Sequence, residues 1–289
     1  MSKKHPIIAV TGSSGAGTST VKDAFEHVFL RQGIKPAVIE GDSFHRYNRV
    51  EMKKAMAEAT AQGNHNFSHF GPDANLFSDI ENLFKTYGET GTGKRRLYLH
   101  NDDEAAPYEG LSSGEFTPWE DIPEGTDLMF YEGLHGCVVT ESVNMPQYVD
   151  LRIGVVPVIN LEWIQKIHRD TSQRGYSNEA VMDTILRRMH DYVHYIVPQF
   201  KSSDINFQRV PIVDTSDPII ARDIPTPDES LVVIRFRQPD DFDVDFPYLL
   251  QMIHNSWMSR RNSIVVPGGK MGLAMELILA PILRKMTDK

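Results

Sequence analysis

Asp42 is a carboxylate in basic company, because His45, Arg46 and Arg49 all follow it within seven residues. It comes directly after the apolar run Ala37-Val38-Ile39 and Glu40-Gly41, where a short buried strand would end. A carboxylate so placed can take the proton of an alcohol, and the cations beside it can hold an anionic substrate. An Asp after a strand is more often a turn former or helix cap, so it is the neighbours that single this one out. A second charged group is Lys166, Arg169 and Asp170, at i, i+3 and i+4 and hence on one face of a helix, with Arg174 just before Gly175. Glu132 ends the hydrophobic run Leu128-Met129-Phe130-Tyr131, where a strand-terminal carboxylate can hold magnesium directly or through water. Together these groups fit the handling of phosphates.

The stretch that would bind those phosphates is Gly12-Ser13-Ser14-Gly15-Ala16-Gly17-Thr18-Ser19-Thr20. The apolar run Ile7-Ile8-Ala9-Val10 precedes it, and Val21, Phe25, Val28 and Phe29 follow at helical spacing. Strand, glycine loop and helix are the context of a phosphate-binding P-loop. Glycines let successive backbone N–H groups curl into an anion nest, and the helix N-terminus adds its positive end. Ser19 stands where the loop hydroxyl ligates magnesium. The pattern asks for Lys at position 18, where this chain has Thr18. A glycine turn without a ligand is the other reading of the stretch taken alone. If the loop does bind phosphates, a cation from elsewhere must replace the lysine. The segment 166–174 closing as a lid would supply it, against the alternative of a solvated basic face.

The positioning elements follow from composition and pattern. A chain of 289 residues with 40% hydrophobic residues can bury a large α/β core, and its net charge of −9 argues against a nucleic-acid partner. No apolar run reaches a membrane span, no signal-type segment follows Lys3-Lys4, and Cys137 as the only cysteine excludes an intrachain disulfide. A cytoplasmic protein is expected. Further strands are expected at 96–100, 128–133, 150–158, 210–214, 231–236 and 264–266, with Pro211 suggesting an edge position. Asn160 is expected to cap a helix with Leu161, Ile164 and Ile167 inward. The next helix would bury Val181, Ile185, Met189, Val193 and Ile196, and leave Arg187 and Arg188 toward a neighbour or ligand. Residues 271–286 read as a final amphipathic helix. Three lookalikes are set aside. Gly88–Lys94 matches the P-loop letters but lacks the strand before and helix after. His65 with His69, and His190 with His194, lack a third metal ligand. Gly12, Gly15 and Gly17 do not space as the G-x-G-x-x-G of dinucleotide-binding oxidoreductases. The expected organisation is one domain over 1–289, with a surface insertion at about 87–126 and a C-terminal extension.

Four stretches in order, Gly12–Thr20, Glu40–Arg46, Phe130–Gly136 and Val158–Asp170, resemble the bacterial branch of the phosphoribulokinase/uridine kinase family. The resemblance runs over nearly the whole chain, including Asp204–Arg209 and Ser256–Arg260. It implies a P-loop nucleoside-triphosphate-hydrolase-like, three-layer α/β fold with a mixed, mainly parallel central sheet. It also implies transfer of the γ-phosphoryl of ATP, with Mg²⁺, to the C1 hydroxyl of ribulose 5-phosphate for carbon fixation. By that resemblance Asp42 is the base and Lys166 the compensating cation. Asp170 serves catalysis, Glu132 and Ser19 serve the metal, and His45, Arg49, Arg169 and Arg174 hold the sugar phosphate. The bacterial branch forms octamers activated by NADH and inhibited by AMP, for which Arg31, Tyr98, His100, Arg187, Arg188 and Arg235 are effector-site candidates. The alternatives are a uridine or pantothenate kinase of the same fold, or a nucleotide-binding switch without transfer activity. The basic run from His45 to Arg49 favours an acceptor that already carries phosphate. A switch would have no purpose for a placed base.

Overall fold

The computed structural model describes residues 4–13, 18–172 and 174–287, with 18–20 described by their backbone. The first half of the chain runs β1 (Ile7–Thr11), α1 (Thr18–Gln32), β2 (Pro36–Glu40), α2 (Arg49–Ala61), α3 (Phe77–Thr90), β3 (Lys94–Arg95), α4 (Asp102–Ala105), β4 (Glu120–Asp121) and β5 (Leu128–Gly133). The second half runs β6 (Leu151–Val155), α5 (Ile159–Ser172), α6 (Asn178–Asp191), α7 (Gln199–Ser202), β7 (Ile205–Pro211), β8 (Ser230–Phe236), α8 (Phe246–Met252), β9 (Trp257–Arg260), β10 (Ser263–Pro267) and α9 (Met271–Thr287).

The chain forms two compact units. One comprises Met1–Ala9, Lys35–Asp150 and Leu186–Gln199; the other comprises Val10–Ile34, Leu151–Ile185 and Phe200–Lys289. In the first unit the strand order is β2, β5, β1. β2 and β5 are parallel, with Ala37 opposite Met129 and Glu40 opposite Glu132. In the second unit the order from β1 onward is β6, β7, β8, β10, β9. β6 and β7 are parallel, whereas β7–β8, β8–β10 and β10–β9 are antiparallel. The sheet is thus mixed, as expected, with parallel pairing at β2–β5 and β6–β7 and antiparallel pairing from β7 onward. β1 is buried at every residue and β5 over Leu128–Tyr131, the pattern of strands covered on both faces. β8 alternates buried and half-buried residues, as a strand with one less covered face does. In the first unit α3 packs Phe77, Ile80, Leu83, Phe84 and Tyr87 against Ile7, Ala9, Ile39, Met129 and Tyr131.

Four local expectations are corrected. No strand forms over 96–100, because the Leu97 N–H is taken by the Thr117 hydroxyl (2.9 Å), and β3 ends at Arg95. Pro211 ends an interior strand rather than marking an edge; it lies past the parallel pairing, which stops at Phe207. Asn160 lies inside α5, with its amide donating to the Thr215 carbonyl (2.9 Å). After α6 the residues Tyr192–Ile196 form a π turn. Its wider turn moves the inward stripe onto Tyr192 and Ile196 and leaves Val193 exposed.

Candidate active site

In the first unit, β2 delivers its chain into a single 3-10 turn, Gly41–Phe44, that carries Asp42. The turn needs glycine at 41, since a Cβ there would lie 2.6 Å from the Tyr131 hydroxyl and 2.9 Å from Gly133 Cα. The ends of β2 and β5 therefore approach backbone to backbone. Glu132 stands half-buried at the end of β5, in register with Glu40.

Imidazoles flank the Asp42 carboxylate. His45 Nε2 lies 3.3 Å from Oδ1 and His100 Nε2 3.8 Å from Oδ2. Burial works against ionisation at Asp42. The hydrogen bond and charge of His45, with the charges of His100 and His69, outweigh it and hold the carboxyl well below its usual range. At His45 burial disfavours the cation, and the Asp42 pair and the Asn75 hydrogen bond overcome it, raising the imidazole above its ordinary value. The Asp42 side chain is 41% exposed, so a substrate can reach it, whereas His45 is buried.

The turn is clamped by Arg96. Its Nε donates to the Ser43 carbonyl (2.7 Å) and its Nη2 to the His45 carbonyl (2.8 Å). The guanidinium also lies over the rings of Phe116 and Trp119, 3.7 and 4.7 Å from their centres. Arg49 is held by backbone of the 87–126 segment, with Nη2 donating to the His100 carbonyl (2.8 Å) and its own N–H to Gly114 (2.9 Å). His135, buried, has its pKa pushed down to about 3 by burial, and its Nε2 meets the Phe70 carbonyl at 3.0 Å.

In the second unit, Thr11 and Ser13 at the start of the glycine loop are buried, and their hydroxyls have no hydrogen-bond partner among the described residues. Ser14, Gly15, Ala16 and Gly17 lie outside the described residues; for Thr18, Ser19 and Thr20 the backbone is helical. On α5 the charged face gathers on one carboxylate. Asp170 accepts from Lys166 Nζ, from Arg169 Nε (3.0 Å) and from Arg174 Nη1 (3.2 Å). Burial opposes its ionisation, and the bond and charge of Lys166 with the charge of Arg169 prevail, so its pKa is lowered. The Lys166 and Asp170 side chains are only 7% and 6% exposed, which excludes the solvated-face reading for that pair. Ile167 anchors this face against Val181 and Ile185 of α6.

The expected site residues therefore fall into two sets. Asp42, His45, Arg49 and Glu132 belong to the first unit, and Gly12, Ser13, Lys166, Arg169, Asp170 and Arg174 to the second. Of the effector candidates, Tyr98 and His100 stand beside Asp42 and His45, with their ring centres 4.9 Å apart. Arg187 donates to the Thr60 hydroxyl (3.2 Å) and Arg188 lies over Phe70 (5.0 Å). Arg31 pairs with Glu276, and Arg235 donates to the Phe200 carbonyl (3.1 Å). Sequence reasoning missed Arg96, Asn75 and the place of His69, whose ring centre is 4.9 Å from that of His45. His69 had a signal, since it was weighed as a metal ligand. Arg96 and Asn75 had none, because side chains that bond backbone and ring nitrogens follow no spacing rule.

An accessible carboxylate after β2 and, separately, a set of cations gathered on Asp170 are groups that a phosphotransferase of the P-loop kinase class uses. The family model described as Phosphoribulokinase / Uridine kinase family matches residues 7–216. The chain is 64% identical over 289 residues to the chromosomal phosphoribulokinase of Cupriavidus necator, covering 100% of this chain and 98% of that protein. It is 61% identical over 289 residues to the phosphoribulokinase of Nitrobacter vulgaris, covering 100% and 99%. The solved structure of phosphoribulokinase from Rhodobacter spheroides matches with a TM-score of 0.91 at 58% identity, over 99% of this chain and 98% of that one. The chain belongs to the phosphoribulokinase/uridine kinase family.

Proposed function

We propose that this chain transfers the γ-phosphoryl of ATP to the C1 hydroxyl of ribulose 5-phosphate, giving ribulose 1,5-bisphosphate. The reading is supported by full-length identity to phosphoribulokinases and carried by one observation: the accessible Asp42 carboxylate, kept ionised between His45 and His100. In this reading the acceptor O–H bond breaks as its oxygen bonds the γ-phosphorus, and the proton goes to Asp42. The bond from the γ-phosphorus to the bridging oxygen breaks, and its electron pair leaves with ADP. Phosphoryl transfer needs placement and cations more than covalent help. Lys166 replaces the charge that the lysine-free loop lacks. Arg169, Arg174, His45 and Arg49 hold the sugar phosphate, and Asp170 keeps the cations of its own segment together. Magnesium takes one or two carboxylates beside substrate phosphates. The half-buried Glu132 fits that role, and Ser19 would complete it. When bound, the ion neutralises charge on the phosphates.

The same resemblance supports a cytoplasmic homo-oligomer activated by NADH and inhibited by AMP. NADH titration of activity before and after charge removal at Arg31 and Arg235 tests the effector assignment, and unchanged activation would dismiss it. For the reaction itself, ADP release is measured with ATP and Mg²⁺ in the presence of ribulose 5-phosphate, of uridine, or of no acceptor. Release with ribulose 5-phosphate alone is expected. Release with uridine, or without acceptor, would sink the assignment.

A further inference from the structure

Asn75 is buried, and its amide orientation is fixed by what it bonds. Its Nδ2 donates to the His69 carbonyl (2.8 Å) and to the Gly71 carbonyl (2.7 Å). Carbonyls only accept, so both amide hydrogens are committed there and Oδ1 is the atom that meets His45 Nδ1 at 2.8 Å. An amide oxygen also only accepts. His45 Nδ1 therefore carries a hydrogen in every protonation state of the ring. The other ring nitrogen, Nε2, is the one aimed at Asp42.

We propose that Asn75 is a positioning residue that fixes His45 in its Nδ1–H tautomer, so that Nε2 alone gains or loses a proton and always faces the Asp42 carboxylate. This rests on the reading of Asp42 as the base. Its consequence is orientation. While Nε2 is protonated it donates to Oδ1 and leaves Oδ2 toward His100. The carboxylate is thus turned by an imidazole whose own orientation is set, with His100 Nε2 3.8 Å from its other oxygen. A free histidine would spend part of its time with the hydrogen on the other nitrogen, and the alignment would be lost. The groups that face His45 are Asp42, His69 at 4.9 Å between ring centres and Tyr98 at 6.5 Å, with Arg188 and His135 acting by charge and His100 across the carboxylate. None of them is an acceptor shown at Nδ1; Asn75 is.

The test is a pH titration of the full-length protein by NMR with ring-labelled histidine, the His45 signal being identified by its loss in His45→Gln. Wild type should show the Nδ1–H tautomer when neutral. Asn75→Leu, which removes the acceptor, should populate the other tautomer and shift the His45 titration down by about 0.5–1 pH unit, the amount by which a hydrogen bond from the cation exceeds one from the neutral ring. Asn75→Asp, which keeps an acceptor and adds negative charge, should shift it up. An Nε2–H tautomer in the wild type, or an unmoved titration in Asn75→Asp, overturns the proposal even where Asn75→Leu does not fold. The pH profile of kcat/KM for ribulose 5-phosphate is measured on the same proteins and should move with the titration. A moved titration with an unmoved profile keeps the clamp and overturns the role of Asp42 instead.

Discussion

The proposed role of Asp42 as the base requires an ionised carboxylate, and its surroundings favour one. The hydrogen bond and charge of His45 favour the carboxylate and outweigh burial, so the acid limb of activity should lie below the ordinary carboxylate range, near pH 4. Replacing His45 with Gln removes its charge, lets the carboxyl rise toward its ordinary value and moves that limb to higher pH. A limb that stays in place would mean that His45 does not act on the base. Asp42→Asn should lower kcat by about two to four powers of ten, the usual worth of a positioned base, and leave the affinity for ATP unchanged. Equal losses in binding and turnover would make Asp42 a structural residue. For stability the two partners pull in opposite directions along the pH scale. The depressed carboxyl contributes above its unfolded value and loses that contribution as pH falls through its folded one. The raised imidazole contributes fully below about pH 6.5 and loses its contribution as pH rises through its folded value. The pair therefore stabilises the fold most between the two.

At the scale of elements, two devices hold the candidate site residues, and each can be broken alone. Arg96 joins the 87–126 segment to the turn after β2 through two backbone carbonyls and two aromatic faces. Arg96→Ala should cost about 1–3 kcal/mol, by leaving those carbonyls unpaired, and should lower kcat with it. Arg96→Lys should recover little, because an ammonium lacks the planar fork. Denaturant unfolding with kinetics on the same samples checks this, and full activity in Arg96→Ala would remove the clamp. On α5, Lys166 and Asp170 form a buried pair one helical turn apart. Asp170→Asn removes the carboxylate charge that faces the buried Lys166 ammonium and should destabilise by about 3–5 kcal/mol. If Lys166→Met is added, the loss should be smaller than the sum of the two single changes, and simple additivity would argue against coupling. These devices also mark how far the sequence could be read. β1, β2, β5, α1 and the charged face of α5 were legible because burial imposes a period of two, of 3.6 or a continuous apolar run. The turn at Tyr192–Ile196 was not, since an extra residue in one helical turn leaves no mark in the pattern. Nor was the absence of a strand at 96–100, where a single Thr117 hydroxyl takes the N–H that a ladder needs. Asp42, His45, Lys166 and Asp170 were legible as site candidates through charge and spacing. Arg96 and Asn75 were not, because their partners are backbone and ring atoms far along the chain.

At the scale of the whole molecule, sheet order was the least legible feature. Local patterns mark where strands are, and pairing between distant segments such as β2 with β5 depends on crossovers that no window contains. What the whole chain does fix is its redox behaviour. Cys137 is the one cysteine in 289 residues and is 1% exposed. Its backbone N–H is bonded to the Gln199 side chain (2.9 Å), and its neighbour Val138 belongs with it to the core beneath α3. A thiol becomes reactive as an accessible thiolate, and burial in apolar surroundings works against both conditions. No second cysteine is present to close a disulfide within the chain. Mild oxidant or reductant should therefore leave kcat and KM unchanged. An aromatic disulfide reagent should label the native protein slowly, and one thiol per chain should react at once after unfolding in denaturant. The label then reports opening of the core beneath α3, and its rate should rise in Arg96→Ala only if that clamp also secures the core. Rapid labelling of the native wild type would show that the segment around Cys137 opens far more often than its burial implies, and the inference of a redox-indifferent enzyme would fail with it.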